Sequence, residues 1–466
     1  MALNFLRMLG QRGGGREGAG AQNASAPFVD DEDAPFDNDV PSDAAMAMAL
    51  TSFQDTSRRL SEREAEAAWE THTGEVDILQ KREAREADTL WRLVAATERG
   101  ALPTTLLHAM AQRLASHAKL LPRLLSSTST LTPSELERSG GVPLLRAIAH
   151  SLATSASNRA RCRTARALVH ALVDYCKTCE APLRRGVESG SLPSSAQECL
   201  FLLASALGAV AVWLQSERGS EATTPSESLA VVLAVECNGL ALLSRLLSAL
   251  HVTRSLQVAT DGVRSAAAAV ALSALRCLEA VLDEPRAHAL PLYRDALRAT
   301  QIKQRLLDAI GYPPCPSLAE SLSRDAPQPE ALLAAAASSV EVQASSLRCV
   351  SVWYTRHEQV YGALAGVGDD NALPHALGEA IRWRWAAARA AKLPGGAALT
   401  AALAAAPLSA WLASFASVAT GENGSEALLN RRRVVNEALA SALTPHEDHT
   451  ADTDIAASSP WRAPSS

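Results

Sequence analysis

Aromatic residues make up only 4 % of the 466 positions, and lysine is scarcer still, with five against 39 arginines. Val and Ile seldom alternate with polar residues, which argues against an extensive β-sheet. Eight cysteines in a chain of this length exclude a disulfide-stapled scaffold. Cys199, Cys277 and Cys349 fall inside apolar helical patterns, the setting of reduced, buried thiols in a cytosolic or nuclear protein. Cations are missing from residues 17 to 57, a stretch that holds nine acids. The net charge of −6 therefore hides a body of about +3, far from the strongly basic face of a dedicated nucleic-acid binder.

Chemical motifs are equally thin. The triplet Gly13 to Gly15 has neither the lysine nor the preceding strand of a phosphate-binding loop. Cys176 and Cys179 form a lone CxxC at an expected helix end, without a second pair or a histidine at zinc-site spacing, and read as structural thiols. Ser116 to Lys119 matches SxxK without its companion motifs and reads as a solvated helix face. His446 and His449 stand in a polar tail that lacks further ligands. No catalytic residue, metal ligand or cofactor site is assigned, and the chain reads as non-enzymatic.

What the sequence has in quantity is alanine and leucine, within a hydrophobic share of 47 %, enough for a large core. The expected fold is all-α. Residues 1–45 are rich in Gly, Asp, Ala and Pro and read as a disordered acidic tail. Residues 46–99 form a helical N-terminal segment, with Ser61 and Glu64 spaced as a capping box and Gly74 as an interruption. A helical body spans residues 100–442, with insertion loops near 216–228, 311–329 and 362–374, and residues 443–466 form a disordered polar tail.

Within the body one phrase occurs twice. With Gly141 set against Gly239, 98 residues on, Leu144, Leu145, Ile148 and Leu152 match Leu242, Leu243, Leu246 and Leu250. That i, i+1, i+4, i+8 spacing is one buried helix face. A second apolar helix follows each phrase, so the repeated unit reads as a helix pair. Helices at Ala196–Leu214 and Ser338–Tyr354 fill further places in the series. The pattern resembles the armadillo and HEAT families of helical repeats, whose units run to about 40–47 residues. The resemblance covers residues 100 to 360 and implies an α-solenoid of stacked helix pairs. It departs from the armadillo pattern in lacking the Asn of the closing helices, so peptide reading along an Asn ladder is not implied.

Two uncharged stretches have some of the character of membrane spans. Cys199 to Leu214 is shorter than the roughly 20 residues a span needs. Leu393 to Gly421 is broken by Pro394 and Pro407, and its large residues, Leu399, Leu403, Leu408, Trp411, Leu412, Phe415 and Val418, approximate one helical stripe interrupted at Pro407. Core helices account for both, and no transmembrane span is expected. The start "MALNFLRMLGQRGGGR" has only a short apolar stretch, too brief for a secretory leader, and with the reduced thiols the expected location is cytoplasmic or nuclear, cytoplasm favoured. Arg7, Arg12 and Arg16 leave a mitochondrial leader as the minor alternative.

Two places carry surface chemistry suited to a partner. Ala-Pro-Phe followed by acids occurs at Phe28 and again at Phe36, a pattern that fits a bivalent linear motif. In "IRWRWAAARAAK", Arg382, Arg384 and Arg389 surround two tryptophans, of which at least one belongs to the core, because neighbours two apart cannot share a helix face. The reading is a scaffold or adaptor that presents a helical groove to a protein partner. A regulatory or exchange-type cofactor of a chaperone, GTPase or kinase is the alternative, with a membrane-associated helical protein behind both.

Overall fold

A computed structural model describes residues 43–66, 73–96, 104–126, 136–137, 140–154, 166–217, 228–255, 261–284, 287, 290–311, 329–364, 371–417 and 424–443. Among them the regular structure is helical, without strands. In chain order the helices are α1 (Asp43–Glu66), α2 (Thr73–Ala96), α3 (Thr104–Ser126), α4 (Val142–Thr154), α5 (Ala167–Ser189) and α6 (Ala196–Glu217). Short α7 (Leu229–Val231) runs into a π turn (Val232–Glu236), followed by α8 (Gly239–Ser255), α9 (Asp261–Leu282), α10 (Pro291–Ala299) and α11 (Ile302–Gly311). Helix α12 (Pro329–Val352) continues through a second π turn (Trp353–His357) into α13 (Glu358–Tyr361), and α14 (Ala372–Ala390), α15 (Ala397–Ala405), α16 (Leu408–Ser417) and α17 (Gly424–Leu443) complete the chain. The expected insertion loops and terminal tails lie largely outside the described residues.

The helices make two series of contacts. In one, α2 packs on α4, α4 on α6, α6 on α9, α9 on α12 and α12 on α15. In the other, α1 packs on α3, α3 on α5, α5 on α8, α8 on α11, α11 on α14 and α14 on α17. The pairs α1–α2, α3–α4, α5–α6, α8–α9, α11–α12 and α14–α15 join them. One apolar core runs from Phe53 to Ala442, and a second, smaller cluster gathers Leu333, Val340, Trp383, Ala387 and Leu399.

Helices α6, α9 and α12 show why the first series stacks. Each carries a serine two residues before a leucine: Ser205 and Leu207, Ser273 and Leu275, Ser345 and Leu347. In α9 and α12 the phrase ends Leu-Arg-Cys. The Cys277 thiol donates to the Leu207 carbonyl at 3.6 Å, and the Cys349 thiol donates to the Leu275 carbonyl at 3.4 Å. The Trp411 indole N–H takes the same place on the Leu347 carbonyl, at 3.1 Å. These contacts join residues 70, 74 and 64 positions apart in sequence. The spacing of 40–47 residues suggested by the resemblance is corrected accordingly, since long α helices and their connections both lengthen each layer.

The two Gly–Leu phrases are buried alike, with Leu145 and Leu243 both in the core. Their neighbours differ. Helix α4 packs on α2 and α6 in the first series, whereas α8 packs on α5 and α11 in the second. The phrases are therefore not the same member of a pair, and the glycines differ too. Gly141 takes a left-handed φ of 71°, while at the second phrase Asn238 takes it, with φ 54°, and Gly239 starts the helix.

The expected capping box is also overturned. Ser61 and Glu64 lie inside α1, which begins at Asp43, because the upstream segment already supplies Phe53, Thr56 and Ser57 to the face buried with Leu60. Gly74 does not interrupt a helix but sits in the first turn of α2.

Candidate interaction surface

Helix α14 sorts the residues of the Trp–Arg segment by their angular position, about 100° apart. Trp383 is buried in the smaller core cluster, and Trp385, two positions on, is 48 % exposed. Arg384 is buried between them. Its guanidinium donates to Gln343 Oε1 at 2.9 Å and to the carbonyls of Ala406 at 3.0 Å and Val340 at 3.2 Å, and burial lowers its pKa to about 10. The expectation that Arg384 faces a partner is corrected: its charge is held by interior oxygens. Arg382 is half-buried, donating to the Ser441 carbonyl at 2.7 Å and to Glu379. Arg389 is exposed one turn beyond Trp385, and Lys392 is exposed just past the helix. Trp385 and Arg389, a turn apart, thus share one outer face of α14, with Lys392 exposed beyond its end, and Arg384 is turned inward. Phe28 and Phe36 lie outside the described residues.

Two polar constellations went unread in the sequence. Glu83 of α2 accepts from Arg113 Nε at 2.5 Å and from Ser57 at 3.2 Å, with His117 Nε2 at 3.3 Å from its other oxygen. Burial pushes the Glu83 carboxyl up, but the hydrogen bonds and charges of His117 and Arg113 outweigh it and hold the group at about 2. His117 lies in the Ser116–Lys119 segment expected to be a solvated face. It is buried instead, because the i, i+4 spacing from Arg113 turns both toward Glu83. Only their helical spacing hinted at this.

The second constellation joins α5 to the first π turn. The Cys237 thiol lies 3.6 Å from His170 Nδ1, and Arg166 bridges to Glu236 beside it. Arg166 and Asn238 are the non-glycine residues with left-handed φ among those described. Burial pushes the Cys237 thiol up to about 11, with Lys177 opposing and Glu236 and Asp174 reinforcing the shift. A thiol so held stays protonated near neutrality, so this contact is a hydrogen-bonded pair without an activated nucleophile. Cys176 and Cys179 stand mid-helix in α5, not at its end, and both are buried. Among the described residues no three of His, Cys, Asp and Glu are grouped to hold a metal.

Among the described residues three helical segments are long and apolar enough to cross a membrane: Ala196–Glu217, Gly262–Leu282 and Ala397–Ser417. The first two are 78 % buried inside the protein, the third only 22 %. Leu399, Leu408, Leu412 and Phe415 of the third are buried, together with Ala402, while Leu403 and Trp411 of the same stripe are half-buried and the small residues between them are mostly exposed, so a core helix describes only one of its sides. No family model, no curated protein and no solved structure matches this chain.

Proposed function

We propose that this chain is a non-enzymatic protein-interaction scaffold, built as an armadillo-like α-solenoid with layers longer than the usual armadillo unit. The observation that carries the reading is the pair of contact series, in which the inner members pack on their predecessor and successor and on a cross-partner in the other series. Such one-dimensional stacking is how helical repeats present extended surfaces to other proteins. On that body, Trp385, Arg389 and Lys392 offer an exposed aromatic beside two unburied cations, a combination suited to an acidic, apolar peptide. Phe28 and Phe36, each followed by acids, supply a second set of anchors toward a basic partner surface.

The test is affinity purification with mass spectrometry, comparing the native chain with Trp385→Ala/Arg389→Glu and with Phe28→Ala/Phe36→Ala. Specific protein partners should be recovered with the native chain and weakened in at least one variant. Recovery of no partner, or undiminished recovery with both variants, overturns the proposal.

A further inference from the structure

Helix α2 stands at the start of the first contact series, packed on α1 and α4, and its remaining side is open to solvent. That side carries a basic stripe. At about 100° per residue, Ile78, Lys81, Thr89 and Arg92 fall within roughly 40° of Arg85, and all five are exposed. Glu83 points the opposite way into the core, Glu86 is engaged by Arg82, Ser52 and Thr56, and Glu75, Asp77 and Asp88 fall on the flanks of the stripe. Ile78, 65 % exposed, adds an apolar contact at the far end. The pairing of Ser52 with Glu86 and of Ser57 with Glu83 makes α1 and α2 antiparallel, so the start of α1 at Asp43 lies beside the end of α2, close to Arg92.

We infer that residues 26–40 of the same chain lie along this stripe and cover it. Charge and tether choose the occupant. The segment holds six acids and no cation, and Val40 stands just ahead of Asp43, where α1 begins beside Arg92. Extended at roughly 3.3–3.6 Å per residue, the stretch from Phe28 to Phe36 spans about 26–29 Å, against about 21 Å from Ile78 to Arg92 on the helix. Asp37 and Asp39 therefore come opposite Arg92, and the acids from Asp30 to Asp33 opposite Arg85 and Lys81. Phe36 meets a guanidinium with its ring, and Phe28 reaches Ile78. The cations beside Trp385 are out of reach for Phe36, since its seven-residue tether extends about 25 Å, whereas α14 lies five steps along the second series, about 40–50 Å at 8–10 Å per step. A tether this short holds the segment near millimolar effective concentration, so the contact needs little affinity of its own. The inference rests on the reading of Phe28 and Phe36 as anchors toward a basic surface: in the free chain that surface is the chain's own, and an acidic partner must displace the tail to reach it.

Carbodiimide coupling, which joins a carboxylate to an amine without a spacer, tests this on the isolated full chain at low concentration, read by peptide mass spectrometry and independently of partner recovery. The chain has five lysines, and Lys81 should link to the acids between Asp30 and Asp39 roughly tenfold more often than Lys119, Lys177, Lys303 or Lys392 does. Salt at about 1 M, where the Debye length is about 3 Å, should abolish the preference. Arg85→Glu/Arg92→Glu, both at exposed positions, should lower the Lys81 yield several-fold with melting unchanged, and Phe28→Ala/Phe36→Ala should also lower it. Should the charge reversals unfold the chain, Arg85→Gln/Arg92→Gln takes their place with the same expectation. Tail links that are absent from Lys81, equally frequent at Lys392, or indifferent to salt and to the arginine substitutions overturn the inference. In a mixture of isotopically labelled and unlabelled chains, a link that joins the two kinds makes a second copy's tail the occupant and overturns it as well.

Discussion

Cys349 and Leu275, 74 residues apart in sequence, meet as thiol donor and carbonyl acceptor across α12 and α9, and Cys277 repeats the contact with Leu207 one layer earlier. The thiol suits this place because it is small, apolar and a weak donor. Replacing Cys349 with Leu should overfill the contact and destabilise the fold by about 1–3 kcal/mol in urea unfolding. A loss within error of zero would show that the layers are loosely packed here.

Gly141 and Gly190 share a left-handed backbone, with φ of 71° and 70°. Their surroundings differ: a Cβ at Gly141 would sit 2.8 Å from the His117 ring, whereas one at Gly190 meets nothing within 4 Å. Both Gly→Ala changes should cost roughly 1 kcal/mol of backbone strain, with Gly141→Ala costing clearly more. Equal melting temperatures for the two variants would remove His117 from this account.

The buried Glu83 makes acid stability a readout of the α1–α2–α3 region. Its carboxyl ordinarily titrates at 4.5 and is held at about 2 in the fold. A carboxyl depressed in this way contributes stability that is complete above its unfolded value and is lost as pH falls from there through about 2. Glu83→Gln should flatten the stability profile over that window. Arg113→Met, which leaves the buried carboxylate short of its partner, should cost about 3–5 kcal/mol near neutrality.

Burial pushes the thiols of Cys176 and Cys199 up to about 12 and raises that of Cys179 well above its ordinary value. Iodoacetamide at neutral pH should therefore leave all three unmodified in the folded chain and alkylate them in urea, as peptide mass spectrometry would record. Rapid native labelling of Cys176 or Cys179 would mean that α5 opens easily.

Adjacent residues of α14 should separate stability from binding. Arg384→Ala strips three interior acceptors of their donor and should lower the melting temperature sharply. Trp385→Ala, at an exposed site, should leave melting almost unchanged while weakening partner recovery. The reverse pattern would invert the assignment of the two side chains.

Helical class was legible because Ala- and Leu-rich stretches with a period near 3.6 leave little else to form, and the burial of Leu145 and Leu243 followed from spacing alone. Series membership was not. The Leu144–Leu145 and Leu242–Leu243 phrases share one apolar spacing, and it is their neighbours that assign α4 and α8 to different series. The Ser-x-Leu-Arg-Cys repeat stands in the sequence at a spacing longer than the 40–47 residues of the armadillo and HEAT pattern. Arg384 shows the remaining difficulty: a charged residue between two tryptophans reads as surface, and nothing local reveals that Gln343 and two carbonyls await it.

The thiol and indole contacts that tie α6 to α9, α9 to α12 and α12 to α16 make shortening of the chain strongly position-dependent. Trimming α16 and α17 together removes an outer slice and bares one face. Excising α9 bares two at once, on α6 and α12, and strands Leu207 and Cys349 without the groups they meet across it. Fragments cut from the ends should remain soluble far more often than chains with an internal layer removed.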